Sequence, residues 1–320
     1  MKDMQKYLVI SGSGRSGTNL TLDLLDKHPQ TACRNEPYSL NGGMMSALPG
    51  QLEPFEVPEH FVADWNEIIE RLKFAKGTRD RRARYYKSYY SSGLSRWLAE
   101  GALTHPKVQR ALRVIRVRSA AEEIYVEPLF DQSASIFPVY KINLRPHWLE
   151  ATHHVNTSQL ILHVVRNPID VMKSWMNRYV KEASETVEEI IRRDRSTLQH
   201  KLDYFNIELA QQTNFDDTAL LELQLVRWRY MNEKMIENFS KSPRYRLRTY
   251  KEVKNDPLNF AEETFEWVGL EFDGATADRI RHNQNNLFTK PHEVEIDVNQ
   301  VRKMCRRLMT GSPLERYFDL

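Results

Sequence analysis

The chain has 320 residues, 46 Lys and Arg against 43 Asp and Glu for a formal charge of +3, and a hydrophobic share of 41%. That apolar supply excludes a disordered chain, and so small a positive excess argues against extended tracking along a nucleic-acid backbone. No run approaches the roughly 18 apolar residues of a membrane span, and the apolar stretch Tyr7 to Ile10 is too short for the core of a secretory leader. Cys33 and Cys305 stand in no zinc spacing and cannot frame a disulfide network, so a reduced, cytoplasmic protein is expected.

Lys6 to Ser11 is a β-rich run that ends in Ser11-Gly12-Ser13-Gly14-Arg15-Ser16-Gly17, after which Leu20, Leu24 and Leu25 recur at helical spacing as far as His28-Pro29. Between Asn41 and Phe137 the pattern changes to a Pro/Glu loop around Pro49 to Pro58, then helical segments with a dense Arg/Tyr stretch, Arg79 to Arg96. This predicts a mainly helical insertion, residues 42–137, inside one domain spanning 1–320. Pro138 to Leu144 reads as a strand. Gln159 to Val165 has the continuous apolar pattern of a buried strand, followed by Arg166-Asn167-Pro168 and a helix from about Ile169 to Tyr179, with Pro168 in its first turn. Helices over Thr218 to Phe239 and Leu258 to Val268 flank a strand from Tyr245 to Tyr250. Strands alternating with helices predict an α/β fold, a P-loop-like parallel sheet flanked by helices.

The chain holds only 12 glycines, yet Gly12, Gly14 and Gly17 crowd into one loop between a strand and a helix. Such a loop gathers backbone N–H groups in front of a helix N-terminus and so cradles an anion, a phosphate above all. Gly12-x4-Gly17 matches the first part of the nucleoside-triphosphate loop, but Thr18-Asn19 follow where that motif needs Lys and Ser/Thr. The cation sits earlier, as Arg15, whose fork can clamp an oxyanion bidentately. A second anion site is predicted where Arg166 leaves its strand, with Ser174 about two helical turns further on.

Gly14-Arg15-Ser16-Gly17-Thr18-Asn19-Leu20, followed by Leu24-Leu25-Asp26-x-His28-Pro29, resembles the 5′-phosphosulfate loop of sulfotransferases that use 3′-phosphoadenosine 5′-phosphosulfate (PAPS). Val164-Val165-Arg166-Asn167-Pro168-x-Asp170-Val171-x-x-Ser174-Trp175 resembles their 3′-phosphate motif, and Arg248-Thr249-Tyr250-x4-Asn255-Asp256-Pro257 resembles a third landmark. The resemblance runs from about Tyr7 to Leu270. It implies transfer of a sulfuryl group from PAPS to an acceptor hydroxyl without a metal, with the donor held by Gly14, Arg15, Ser16, Gly17, Thr18, Asn19, Arg166, Ser174 and Tyr250. One branch of the family takes its base from the histidine of a Lys-x-His strand; here Tyr140-Lys141-Ile142-Asn143 puts Asn143 at that position, where it could instead position the acceptor. Another branch, which includes tyrosylprotein and some carbohydrate sulfotransferases, uses a glutamate after the first helix. Glu36, in Cys33-Arg34-Asn35-Glu36-Pro37, occupies that position. Glu36 is therefore assigned as general base, with Lys141 and Arg15 polarising the transferring group.

His147, His153 and His154 have no carboxylate partner at motif spacing and read as surface polar groups, while Trp228 and Tyr230 read as core. The Arg-Lys-Gly ending of cytosolic sulfotransferases is absent, so Arg279, Arg281 and Lys290 receive no role. Two other readings use the same features. A nucleotide kinase or NTPase lacks its loop lysine and a clear magnesium carboxylate at the second strand. A nucleic-acid binder would use Arg79, Arg81, Arg82, Arg84 and Lys87 with Tyr85 and Tyr86 between them. That patch, extended by Tyr89 and Tyr90, equally suits stacking on sugars and pairing with carboxylates or sulfates, which makes an anionic glycan an expected partner. Glycans, protein tyrosines and small alcohols or phenols all present the hydroxyl that the donor motifs leave unspecified.

Overall fold

A computed structural model describes residues 6–36, 87–88, 92–100, 135–143, 146–182, 217–287 and 296–318, with isolated positions between 186 and 205. Five strands, β1 (Tyr7–Ser11), β2 (Thr31–Asn35), β3 (Phe137–Lys141), β4 (Gln159–Val165) and β5 (Tyr245–Thr249), pair in parallel in the order β2-β3-β1-β4-β5. Every residue of the first four is buried, as expected of a parallel sheet covered on both faces.

The helices are α1 (Thr18–Leu25), α2 (Gly93–Glu100), α3 (Pro146–Val155), α4 (Pro168–Glu182), α5 (Asp217–Phe239), α6 (Tyr250–Asn255), α7 (Pro257–Val268), α8 (Gly274–Leu287) and α9 (Val298–Met309). Because successive strand side chains point to opposite faces, the sheet feeds two cores. Leu8, Ile10, Leu162 and Val164 pack with Leu20 and Leu24 of α1, Phe265 of α7 and Ile280 of α8. Val165 joins the other core, with Met172 of α4, Leu220 and Trp228 of α5, and Val301, Cys305 and Leu308 of α9. Trp228 and Tyr230 are both buried, as the helical spacing predicts. The chain leaves β1 for β2 and β3 on one side and returns across it to β4 on the other, so the C-terminal end of β1 is a topological switch point, where open α/β sheets collect ligands.

Three features differ from the sequence reading. Lys87, assigned to a basic surface patch, is fully buried: its ammonium donates to the carbonyls of Asp26 (2.8 Å), His28 (2.9 Å) and Thr31 (2.6 Å) and pairs with the Asp26 carboxylate at 3.0 Å. It ties the C-cap carbonyl of α1, at Asp26, to the turn at His28 and to the first residue of β2. The rest of that patch, Arg79 to Arg84 with Tyr85, Tyr86, Tyr89 and Tyr90, lies outside the described residues, as does most of 42–137.

His153 is likewise buried rather than on the surface. Its Nε2 lies 2.9 Å from Ser242 Oγ, its ring sits edge-on to Phe239, and burial pulls its pKa down to about 4. His154 is exposed as predicted, and the side chain of His147 lies outside the described residues. A fourth histidine, His163 of β4, was not singled out by its sequence context. It is wholly buried between Tyr245 Oη (2.7 Å) and Asn232 Oδ1 (2.9 Å), and desolvation holds its pKa at about 4.

A pH dependence of stability follows. The folded pKa of His163 lies below its unfolded value, so the unfolded chain binds the extra proton, and stability present above pH ~6.5 is lost as pH falls toward 4. Between pH 7 and 5 the urea midpoint should drop by the equivalent of about 2 kcal/mol from this residue. An unchanged loss in a folded His163→Gln variant would place the titrating group elsewhere.

Candidate active site

The loop after β1 is shaped by its lack of side chains. A Cβ on Gly12 would lie 2.4 Å from the Val164 carbonyl and 2.7 Å from Ser16 Oγ, so the backbone passes directly over the end of β4. The Ser16 hydroxyl and amide both donate to the Ser13 carbonyl and close the loop on itself. Arg15 (φ 71°) and Gly17 (φ 97°) are left-handed, and Gly17 caps α1 without a side-chain hydrogen bond. First-turn amides of α1, from Thr18 and Asn19 onward, therefore stand behind a glycine cradle, the arrangement that binds phosphate.

Tyr250, the first residue of α6, packs against this loop: a Cβ on Gly17 would lie 2.2 Å from its ring. Gly17→Ala should accordingly destabilise the fold by more than the ~1–2 kcal/mol of a left-handed alanine alone. Trimming the ring in a Gly17→Ala/Tyr250→Ala variant should make the two losses less than additive in urea unfolding. Strict additivity would mean that ring and loop do not meet.

Arg166 emerges from β4 beside the same loop. Its guanidinium donates to the Arg15 carbonyl at 3.3 Å, lies 4.5 Å over the Tyr250 ring, and has Asp170 at 3.9 Å one turn along α4. Asn167 caps that helix through the Ile169 amide. Ser174, buried on α4, accepts from Arg15 Nε at 2.8 Å. The structure thus brings Arg15, Arg166, Ser174, Gly17 and Tyr250 into one cluster, with two guanidinium groups flanking a phosphate cradle. Backbone amides at a helix N-terminus beside two guanidinium groups can hold a phosphate-type anion.

A second cluster lies where β2 and β3 end. Asn35 and Lys141 are register partners, and Lys141 is also the partner of Ile10, so the cluster occupies the same sheet edge as the glycine loop. Glu36 follows β2 in the left-handed region (φ 46°), with its amide on the Lys141 carbonyl at 3.0 Å. Its Oε1 accepts from Lys141 Nζ at 2.8 Å and from Asn143 Nδ2 at 2.9 Å. Lys141 Nζ also donates to Asn35 Oδ1 at 3.0 Å, a partner that sequence reasoning missed because only the β2–β3 register reveals it. Among the described residues, Arg15 and Glu36 are the non-glycine positions with positive φ, one in each cluster. Strained backbone of this kind collects at functional sites. Chemically, the second cluster can take a proton on a carboxylate while an adjacent ammonium stabilises negative charge. No group of three or more His, Cys, Asp or Glu able to hold a metal ion occurs among the described residues.

The parallel five-stranded sheet flanked by helices, with a glycine loop at its switch point, is a P-loop-like α/β fold. The chain belongs to the Sulfotransferase family, whose model matches residues 8–274. No curated protein matches the chain. Solved structures similar to it include the sulfotransferase STF9 from Mycobacterium avium, 13% identical over 98% of this chain and 78% of that one, with a TM-score of 0.46. The sulfotransferase domain of the Synechococcus PCC 7002 olefin synthase is 16% identical over 100% of this chain and 97% of that one, TM-score 0.42. Mouse SULT7A1 complexed with PAP is 10% identical over 98% and 87%, TM-score 0.41. No helix among the described residues is long and apolar enough to cross a membrane.

Proposed function

We propose that the protein transfers a sulfuryl group from PAPS to an acceptor hydroxyl, with Glu36 as general base. The observation that carries this reading is the joining of two anion sites through one residue: Arg15 sits in the glycine cradle, donates to Ser174 and accepts from Arg166. A donor with a 5′-phosphosulfate and a 3′-phosphate needs two such sites at one switch point.

When bound, the donor supplies an activated sulfuryl group on a phosphosulfate anhydride. Loop amides from Gly14 to Asn19 hold its 5′ end, Arg166 and Ser174 its 3′-phosphate, and Tyr250 supports Arg166 from beneath. Glu36 takes the proton of the acceptor hydroxyl as the new O–S bond forms and the S–O bond to the bridging oxygen breaks. Lys141 and Arg15 offset the negative charge that develops on that oxygen. The products are a sulfate ester and 3′-phosphoadenosine 5′-phosphate (PAP), with the proton left on Glu36. An anionic glycan acceptor would draw on Arg79, Arg81, Arg82 and Arg84, without Lys87.

Calorimetry with PAP and AMP tests the donor assignment. The protein should prefer PAP, and Arg166→Ala should remove a charge-assisted pair of about 1.5–3 kcal/mol, roughly 10- to 150-fold in Kd, for PAP but not for AMP. Equal affinity of the unsubstituted protein for PAP and AMP would sink the 3′-phosphate site.

A further inference from the structure

Asn143 stands two residues beyond β3 with its side chain buried to more than nine-tenths. A carboxylate only accepts hydrogen bonds, so the contact with Glu36 Oε1 fixes the amide: the nitrogen faces Glu36 and the oxygen faces away. That oxygen, Oδ1, is buried and has no hydrogen-bond partner among the described residues. A buried amide oxygen left without a donor is unfavourable, and this one is one amide group away from the proposed base.

We infer that Asn143 Oδ1 receives a hydrogen bond from a second O–H or N–H of the acceptor, next to the hydroxyl that loses its proton to Glu36. The inference rests on the sulfotransferase reading above and narrows its substrate class: acceptors with a hydroxyl or amine on the carbon beside the reacting alcohol, as in a 1,2-diol of a sugar or a β-amino alcohol. An acceptor with a lone hydroxyl leaves Oδ1 unsatisfied and is disfavoured, because a site built to accept a hydrogen bond rejects the analogue that lacks the donor. The amide has two functions in this arrangement. Its nitrogen orients the carboxylate, and its oxygen selects the acceptor.

Ethylene glycol and 2-methoxyethanol separate the two functions, since both carry a second oxygen but only the first carries a hydrogen on it. With PAPS labelled in its sulfuryl group, the protein should sulfate ethylene glycol about tenfold faster per hydroxyl than 2-methoxyethanol. In Asn143→Ala the two rates should become equal whatever their absolute level, while calorimetric affinity for PAP stays unchanged and shows that the fold is kept. Asn143→Leu, close in shape but with no acceptor, provides a second variant with the same expected loss of preference. Equal rates in the unsubstituted protein, or a preference that survives both substitutions, would overturn the assignment of Asn143. Failure to bind PAP would instead overturn the donor reading, and PAP binding without transfer to either alcohol would remove the Glu36–Asn143 cluster as the acceptor site.

Discussion

Glu36→Gln is expected to lower turnover by about 10²–10⁴ while leaving PAP affinity unchanged. The glutamine side-chain oxygen can still accept from Lys141 and Asn143, which now hold the glutamate at 2.8 and 2.9 Å, so the local geometry has no reason to collapse. What disappears is the capacity to take a proton from the acceptor hydroxyl. The donor site proposed above, built from the loop after β1 and the start of α4, does not include Glu36. Single-turnover sulfation in parallel with PAP calorimetry separates the two quantities. Near-normal turnover would mean that the base is elsewhere. His153 could not then take over, because it bonds to Ser242 just ahead of β5, at the opposite edge of the sheet, and burial keeps its ring nitrogen weakly basic.

Lys87→Met should have the largest effect on stability, about 3–5 kcal/mol, because it takes the cation from a buried ion pair and leaves the carboxylate behind. Methionine keeps most of the length and volume but donates nothing, so the carbonyls of Asp26, His28 and Thr31 lose a shared donor along with the Asp26 carboxylate. Those carbonyls form the connection from α1 into β2, the strand that delivers Glu36. Neutralising the carboxylate as well, in Lys87→Met/Asp26→Asn, should restore part of the loss. A loss below about 1 kcal/mol in the single variant would place Lys87 in solvent.

The parts of the fold that were legible in the sequence carry local signals. The glycines after β1, the unbroken apolar run of β4 with Pro168 behind it, and the 3.6-residue spacing in α5 and α7 each specify an element without help from distant residues. Strand β2 carries no such signal: Thr31-Ala32-Cys33-Arg34-Asn35 is half polar, and it is a strand because it pairs with β3, over a hundred residues away. The contact of Glu36 with Lys141, 105 residues apart, depends on that pairing, so spacing alone could not have found it and only the family resemblance pointed to Glu36. Helix α9 had a readable pattern that the sequence reading passed over. Asp297 caps the amides of Asn299 and Gln300, and Val301, Met304, Cys305 and Leu308 make one buried stripe. Lys87 was misread because it ends a run of arginines, and a charge run normally marks a solvated face; nothing local distinguishes the lysine that turns inward onto the connection from α1 to β2.

Following radioactive sulfur from labelled PAPS into a pool of hydroxyl acceptors tests the central claim most directly. The protein should move label onto an acceptor with one PAP released per sulfate ester formed, and Glu36→Gln should slow that transfer without weakening PAP binding. Label remaining in PAPS or appearing only as free sulfate, with phosphoryl transfer from Mg-ATP to the same pool, would contradict it.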